Sequence, residues 1–362
     1  ESAGSSAACA TGARESASAV QSAARRSRSR CAARRTAERF WLQSEGRGHI
    51  APIIIARVVA LPDCSPESDA VTTRSALSPA STASGTPAAR ADARLAALCR
   101  WLEGSLGFRE YDIAPASADA SFRRYFRVTR PAHEPLIVMD APPPKEDVGP
   151  FLKIAAMLER IGVHAPRVLE RSEAEGFLLL TDLGTTMYLP ELTRPGQAEP
   201  LYADALDALV RIQANGGESA RQLPPYDEKL LRFEMSLFPD WLLAKHLELE
   251  LTPDERAGLA RAMDALVANA FEQPQVFVHR DYHSRNLMVC PGANPGILDF
   301  QDAVRGACTY DLVSLLRDAY VAWPQERVVQ WALQFRRKAA AAGLETGRDD
   351  AQFLRWFDLM GI

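Results

Sequence analysis

The stretch Val278-His279-Arg280-Asp281-Tyr282-His283-Ser284-Arg285-Asn286-Leu287-Met288-Val289, followed by Gly296-Ile297-Leu298-Asp299-Phe300, decides how this chain is read. Apolar runs bracket a polar loop, and a turn leads into a further apolar run. The pattern is strand, loop, strand, turn, strand. Three side chains stand out on it: Asp281, Asn286 five positions later, and Asp299 at the end of the last apolar run. They are either polar residues of a surface loop between hairpin strands or the parts of a site.

Phosphoryl transfer from a nucleotide needs such parts. One carboxylate must accept or orient the proton of the attacking hydroxyl, while an amide oxygen and a second carboxylate hold Mg²⁺ on the triphosphate. Hard oxygen ligands suit Mg²⁺, which keeps several waters and leans on few protein groups. The spacing H-R-D-x-x-x-x-N, then D-F, matches the catalytic loop and metal loop of kinase-like folds. On this reading Asp281 is the candidate general base or orienter of the hydroxyl, and Asn286 and Asp299 are the candidate Mg²⁺ ligands. His279 reads as a packing and hydrogen-bonding scaffold, and Asp311 as an acceptor that braces the loop. Arg280, His283 and Arg285 either meet phosphate or face solvent.

In protein kinases a long activation segment follows the metal-binding Asp and ends in A-P-E. Here Asp299-Phe300-Gln301-Asp302-Ala303-Val304-Arg305-Gly306 runs quickly into the helix start Thr309-Tyr310-Asp311-Leu312, which leaves no room for a peptide-docking segment. The chain resembles the aminoglycoside phosphotransferase/choline kinase family, which phosphorylates small-molecule hydroxyls. The string L-D-F-Q-D-A-V-R-G…T-Y-D-L-V-S-L-L-R-D is most similar to the N-acetylmuramate/N-acetylglucosamine anomeric kinases of bacterial cell-wall recycling. The resemblance spans roughly Arg94 to Ile362. It implies an α+β, protein-kinase-like fold with a β-rich N-lobe over 92–184 and a helical C-lobe over 185–362. It also implies ATP and Mg²⁺ as cofactors and an amino sugar as acceptor. A non-catalytic nucleotide-binding module and a kinase for aminoglycosides or other alcohols are the alternatives.

The N-lobe is expected to open with a helix around Arg94–Leu102. The alternating segment ending in Arg123-Arg124-Tyr125-Phe126-Arg127-Val128 follows, then a strand Leu136-Ile137-Val138-Met139-Asp140. A kinase-like strand carries a Lys here for the nucleotide phosphates, but this chain offers Met139 or Asp140. The next helix, Phe151 to Arg160, presents Leu152 near the position of the Glu that pairs with that Lys. Both partners are missing together. The triphosphate still needs a cation besides Mg²⁺, so Arg123 or Arg124 either supplies it or simply faces solvent. Ser121 and nearby amides are candidates for phosphate contact. The apolar run Gly176–Leu180 breaks at Thr181-Asp182-Leu183-Gly184. In kinase-like folds the backbone of Leu180, Thr181, Asp182 and Leu183 would bind adenine; otherwise this is an ordinary strand end.

In the C-lobe, Ala203–Gln213 and Pro253–Ala270 carry apolar residues at helical spacing, and Thr252-Pro253 reads as a helix start. The aromatic-rich segment between them holds Glu234 and Trp241, which either line a sugar pocket or belong to the core. Arg305 and Arg317 are candidates for a substrate carboxylate, on charge alone.

Of 362 residues 47% are hydrophobic, enough for two lobes with cores of their own. The net charge is −4. The first ninety-one residues are Ala/Ser/Arg-rich and net positive, so the remainder is distinctly acidic, which argues against nucleic-acid binding. That first segment shows little periodicity and reads as a disordered or spurious extension, with an Arg- and Ser-rich targeting leader as the alternative. Its apolar run Ile50–Leu61 contains Arg57 and is too short to span a bilayer. The apolar helical pattern stops at Gly361-Ile362, as if the C-lobe were cut short. Cys9, Cys31, Cys64, Cys99, Cys290 and Cys308 show no metal spacing and read as reduced thiols of a cytoplasmic protein, expected to be a monomer.

Overall fold

The computed structural model describes residues 87–118 and 122–362. The expectations for the first ninety-one residues and for Ser121 fall outside them, apart from the start of the first helix. That helix, Pro87–Gly104, lies across a five-stranded antiparallel sheet. The strands are β1 (Asp112–Ala118), β2 (Arg124–Thr129), β3 (Leu136–Asp140), β4 (Val168–Ser172) and β5 (Phe177–Thr181), in the spatial order β1-β2-β3-β5-β4.

The sheet is buried on both faces, which is why its two central strands read as unbroken apolar runs rather than alternating ones. Side chains alternate between faces along a strand. Val138, Phe177 and Leu179 therefore pack with Phe126 and Val128 under Leu98, Trp101 and Leu102 of the first helix. Met139, Leu178 and Leu180 face the other way and join the helix Gly149–Ile161 in the main core. Register fixes these two sets: Tyr125 opposes Met139, and Met139 opposes Leu178.

After Gly184 the chain becomes mostly helical. The helix Ala198–Asn215 buries Leu201, Tyr202, Ala205, Leu206, Leu209 and Ile212 at the 3.6-residue period and forms the spine of this half. The helix Pro253–Glu272 starts with Pro253 in its first turn behind a reciprocal cap. Glu255 N donates to Thr252 Oγ1 at 3.3 Å, and Thr252 N donates to Glu255 Oε2 at 2.9 Å. The aromatic-rich segment forms the helix Glu228–Leu237, capped by Asp227, and runs on as a π-helical segment, Phe238–His246. Further helices cover Tyr310–Leu316, Gln325–Ala341 and Asp350–Met360. No helix among the described residues is long and apolar enough to cross a membrane.

Two short ladders are set into the helical half. β6 (Gln275–Val278) pairs with β9 (Val304–Ala307), and β7 (Leu287–Met288) pairs with β8 (Gly296–Ile297). The polar loop after β6 and the turn after β8 are thereby brought to one place.

Candidate active site

The loop that follows β6 is held from below by Asp311. This fully buried carboxylate accepts the backbone amides of His279 at 2.7 Å and Arg280 at 3.0 Å. Burial pushes Asp311 up to about 7, against the pull of those two amides. The bonds hold Arg280 in the left-handed region, φ +80°, an uncommon conformation for a residue with a side chain. Asp281 then follows directly. His279 is also fully buried, and its Nδ1 accepts the Asp281 amide at 3.2 Å. Burial and the nearby His283 depress His279 to about 3, so its ring is a neutral scaffold and not an acid. Tyr282 drives its ring into the core and donates to the Ala205 carbonyl at 2.8 Å.

Asn286 draws the three polar residues together. Its Nδ2 donates to the Asp281 carbonyl at 3.0 Å and reaches the Asp299 carboxylate at 3.4 Å. Its main chain is fixed as well, Asn286 N donating to His283 O and Leu298 N donating to Asn286 O, each at 2.9 Å. Asp299 lies at φ +60°, a second left-handed residue, and its Oδ1 accepts Gln301 Nε2 at 2.8 Å. With Nδ2 committed to these two acceptors, the amide oxygen of Asn286 and the Asp299 carboxylate remain as hard oxygen donors on one side of the loop. Among the described residues no group of three or more His, Cys, Asp or Glu forms a metal cluster. Mg²⁺ shared with a triphosphate needs none, so the donor set fits that ion.

Several supports here were not among the sequence candidates. Gln301 fixes Asp299. Asp318 accepts the Ser284 amide at 3.0 Å and the Tyr320 amide at 2.9 Å, bracing the far end of the loop. His283 is buried against Tyr320 and does not face solvent. Only its position two residues after Asp281 marks it in the sequence.

In β3, Met139 is buried in the main core and Asp140 turns to the opposite face. Asp140 is fully buried between Arg94 Nε at 2.7 Å and Arg124 Nη2 at 2.5 Å. Arg124 therefore lies under the first helix, away from the interlobe face. Arg123 lies just before β2, and its Nε is 3.2 Å from Glu146 Oε2. Asp182 does not offer a free carboxylate, because Arg127 Nε and Nη2 bond it at 2.5 and 3.0 Å and Nη2 continues to the Gly184 carbonyl at 2.8 Å. The Thr181 amide and hydroxyl are committed to Arg167. Leu180 is buried, and the Leu183 carbonyl accepts Cys290 Sγ at 3.3 Å.

In the helix Glu228–Leu237, Glu234 meets the catalytic loop. It binds Arg280 Nη2 at 2.7 Å and accepts the Tyr226 hydroxyl. Burial raises the Glu234 carboxyl, which its two partners only partly offset. Arg280 is therefore turned inward. Trp241 is 42% exposed beneath Lys245, whose Nζ lies 3.6 Å from the ring centroid, so it is not a core residue. Arg305 lies in β9, where its main chain bonds Pro224 and Tyr226. Arg317 is drawn away from the loop: it pairs with Asp358 and its guanidinium packs over Phe357 at 4.6 Å.

Residues 112–354 match the phosphotransferase enzyme family. The chain belongs to that family. An N-acetylmuramate/N-acetylglucosamine kinase of Pseudomonas aeruginosa is 48% identical over 281 residues, covering 75% of this chain and 82% of that protein. The same-named kinase of Neisseria meningitidis is 41% identical over 268 residues, covering 73% of this chain and 79% of that protein. The fold is shared with an ethanolamine kinase of Plasmodium vivax, at TM-score 0.51 and 12% identity, covering 74% of this chain and 79% of that one. It is also shared with an aminoglycoside 2'-phosphotransferase solved with GDP, at TM-score 0.50 and 15% identity, covering 74% and 88%. The phosphotransferase chain thus has the α+β, protein-kinase-like architecture that its catalytic motif implied, and it is an ATP-dependent enzyme of this family.

Proposed function

We propose that the chain moves the γ-phosphoryl group of ATP to the anomeric hydroxyl of N-acetylmuramate or N-acetylglucosamine, giving the sugar 1-phosphate in cytoplasmic peptidoglycan recycling. The names of the curated relatives support the acceptor. The observation that carries phosphoryl transfer is the Asn286 amide, spanning the Asp281 carbonyl at 3.0 Å and the Asp299 carboxylate at 3.4 Å. As the acceptor oxygen attacks phosphorus, its proton passes to the Asp281 carboxylate, the new O–P bond forms, the β–γ bridging bond breaks and ADP leaves. An anomeric hydroxyl is more acidic than an ordinary alcohol, so a carboxylate suffices as base. Asn286 Oδ1 and Asp299 would hold Mg²⁺, which supplies charge neutralisation on the phosphates. Leu180 to Leu183 would lie along the adenine, and Glu234 and Trp241 along the sugar.

An aminoglycoside acceptor is disfavoured by Glu234. A polycation needs unpaired carboxylates, and this one is already neutralised by Arg280. ATP consumption is to be compared with N-acetylmuramate, N-acetylglucosamine, kanamycin and choline, and the product examined by phosphorus NMR. Turnover of an amino sugar to an anomeric phosphate is expected. Turnover confined to kanamycin or choline would overturn the proposal.

A further inference from the structure

Position 280 is an odd place for an arginine. Its backbone lies at φ +80°, a region that glycine occupies without strain and other residues rarely enter. Its Nε is also buried without an acceptor. The chain accepts both at the residue directly before Asp281. The side chain gains an ion pair there: Nη2 donates to Glu234 Oε1 at 2.7 Å, with the two side chains only 15% and 13% exposed. Glycine would make the same turn with less strain, but it would also sample the right-handed regions. An arginine tied by its tip is confined to one conformation.

Glu234 is in turn seated from the strands that carry the loop. No residue of its helix, Glu228–Leu237, is buried, so apolar packing does not place it. Its second oxygen accepts the Tyr226 hydroxyl. Tyr226 is fixed to the β6–β9 ladder: its amide donates to the Arg305 carbonyl of β9 at 2.8 Å, and its ring packs with Val278 of β6 and Val304 of β9. Gly306 leaves room for that ring, since a Cβ there would lie 3.2 Å from it. The ties close a circuit from β6 through the loop, Arg280, Glu234 and Tyr226 to β9, which pairs with β6. Arg280 is therefore held at both ends, its amide by Asp311 and its guanidinium by Glu234. Asp281 is the next residue, and its charge acts on the same guanidinium.

We infer that Glu234 is a positioning residue of the catalytic loop: through Arg280 it fixes the direction in which the Asp281 carboxylate meets the acceptor hydroxyl. Both oxygens of Glu234 are engaged, so its effect on turnover runs through the loop and not through a bond to the acceptor. This rests on Asp281 as the base in the proposed function, and not on which alcohol is the acceptor.

The test is a double-variant cycle between Glu234 and Asp281. It is read as kcat, and as KM for ATP and for whichever acceptor the wild type turns over, with melting temperature alongside. Glu234→Ala is expected to lower kcat about 10- to 100-fold, as a displacement of the base by about 1 Å does, with both KM values within about twofold of wild type. Glu234→Gln keeps the shape and an acceptor oxygen but not the charge, and is expected to lose about 3- to 10-fold in kcat. Arg280→Gly relieves the backbone while cutting the tie, and is expected to lose as much kcat as Glu234→Ala. Arg280→Lys keeps the charge and should recover part of that loss. In the Asp281→Asn background, adding Glu234→Ala should barely change the residual turnover, because the group through which Glu234 acts is gone. Should Glu234→Ala fail to fold, Glu234→Gln takes its place in the cycle. Wild-type kcat in both Glu234 variants with a lowered melting temperature would make the tie structural only and overturn the inference. A raised acceptor KM in place of a lowered kcat, or a full Glu234 loss persisting in Asp281→Asn, would overturn it as well. Full turnover in Asp281→Asn would remove the base from the proposed function and the inference with it. Turnover of another alcohol with the cycle intact would remove the amino sugar and leave the positioning role standing.

Discussion

Asp311→Asn tests whether the catalytic loop is held in place by a single buried carboxylate. Wild-type Asp311 receives two amides, from His279 at 2.7 Å and Arg280 at 3.0 Å, with one oxygen for each. Asparagine has one oxygen, so one amide must face an NH₂ group. A buried donor left without an acceptor costs about 1–3 kcal/mol. Removing a buried charge offsets part of this, since burial already pushes the acid up to about 7. A net loss of about 1–2 kcal/mol corresponds to a fall in Tm of about 2–4 °C for a chain of this size. The unbonded amide also frees Arg280 from φ +80°, a conformation costing about 1–2 kcal/mol, so the loop relaxes and carries Asp281 with it. A shift of about 1 Å is enough to lower kcat about 100-fold. Nucleotide affinity should change little, because the adenine contacts proposed at 180–183 lie on another element. Calorimetric melting, steady-state ATP consumption and Mg·ADP titration measure the three quantities. Unchanged Tm and kcat, or a loss of nucleotide affinity as large as the loss of kcat, would refute the bracing role.

Asp281→Asn should lower kcat by about 10²- to 10⁴-fold while Mg·ADP binding survives; equal loss of both would mean that the residue holds nucleotide. Arg124→Ala leaves buried Asp140 with Arg94 as its remaining arginine and should destabilise the fold by about 1–3 kcal/mol in denaturant melts, with nucleotide affinity unchanged. Arg317→Ala should lower Tm through loss of the Asp358 pair and the Phe357 contact without altering the acceptor KM. His279 titrates near 3 in the fold, below its ordinary value, so its neutral form stabilises the native state. That contribution is complete above the unfolded value near 6.5 and is lost as pH falls toward 3, at up to about 1.4 kcal/mol per pH unit. His279→Asn should therefore flatten the acid side of the stability profile, and parallel profiles for the two proteins would count against it.

The catalytic loop was legible because its chemistry is local: Asp281, Asn286 and the adjacent strands sit within one short stretch, and spacing alone brings them together. Asp311 was legible as an early polar residue in an apolar helix. Arg123 and Arg124 were not separable, because the sequence does not mark where β2 begins after a turn of small residues. The fate of Asp140 was likewise hidden, since Arg94 lies 46 residues away. Glu146 carried no periodic or motif signal at all. The contacts of Arg317 were hidden because charge says nothing of direction, and its partner Asp358 belongs to the last helix. The π-helical turn that exposes Trp241 breaks the helical period on which the choice between core and pocket would have rested.

The bonds from Arg127 to Asp182 and to the Gly184 carbonyl bear on how the molecule can move. They rivet the second strand of the sheet to the connector that leaves it, so that connector cannot flex on its own before Gly184. Gly184, at φ +91°, is the last residue of the rivet, its amide donating to Asp182 Oδ1 at 2.9 Å and its carbonyl accepting Arg127 Nη2 at 2.8 Å. Any swing of the smaller half over the larger must carry strand, guanidinium and connector as one stiff plate, with its axle after Gly184.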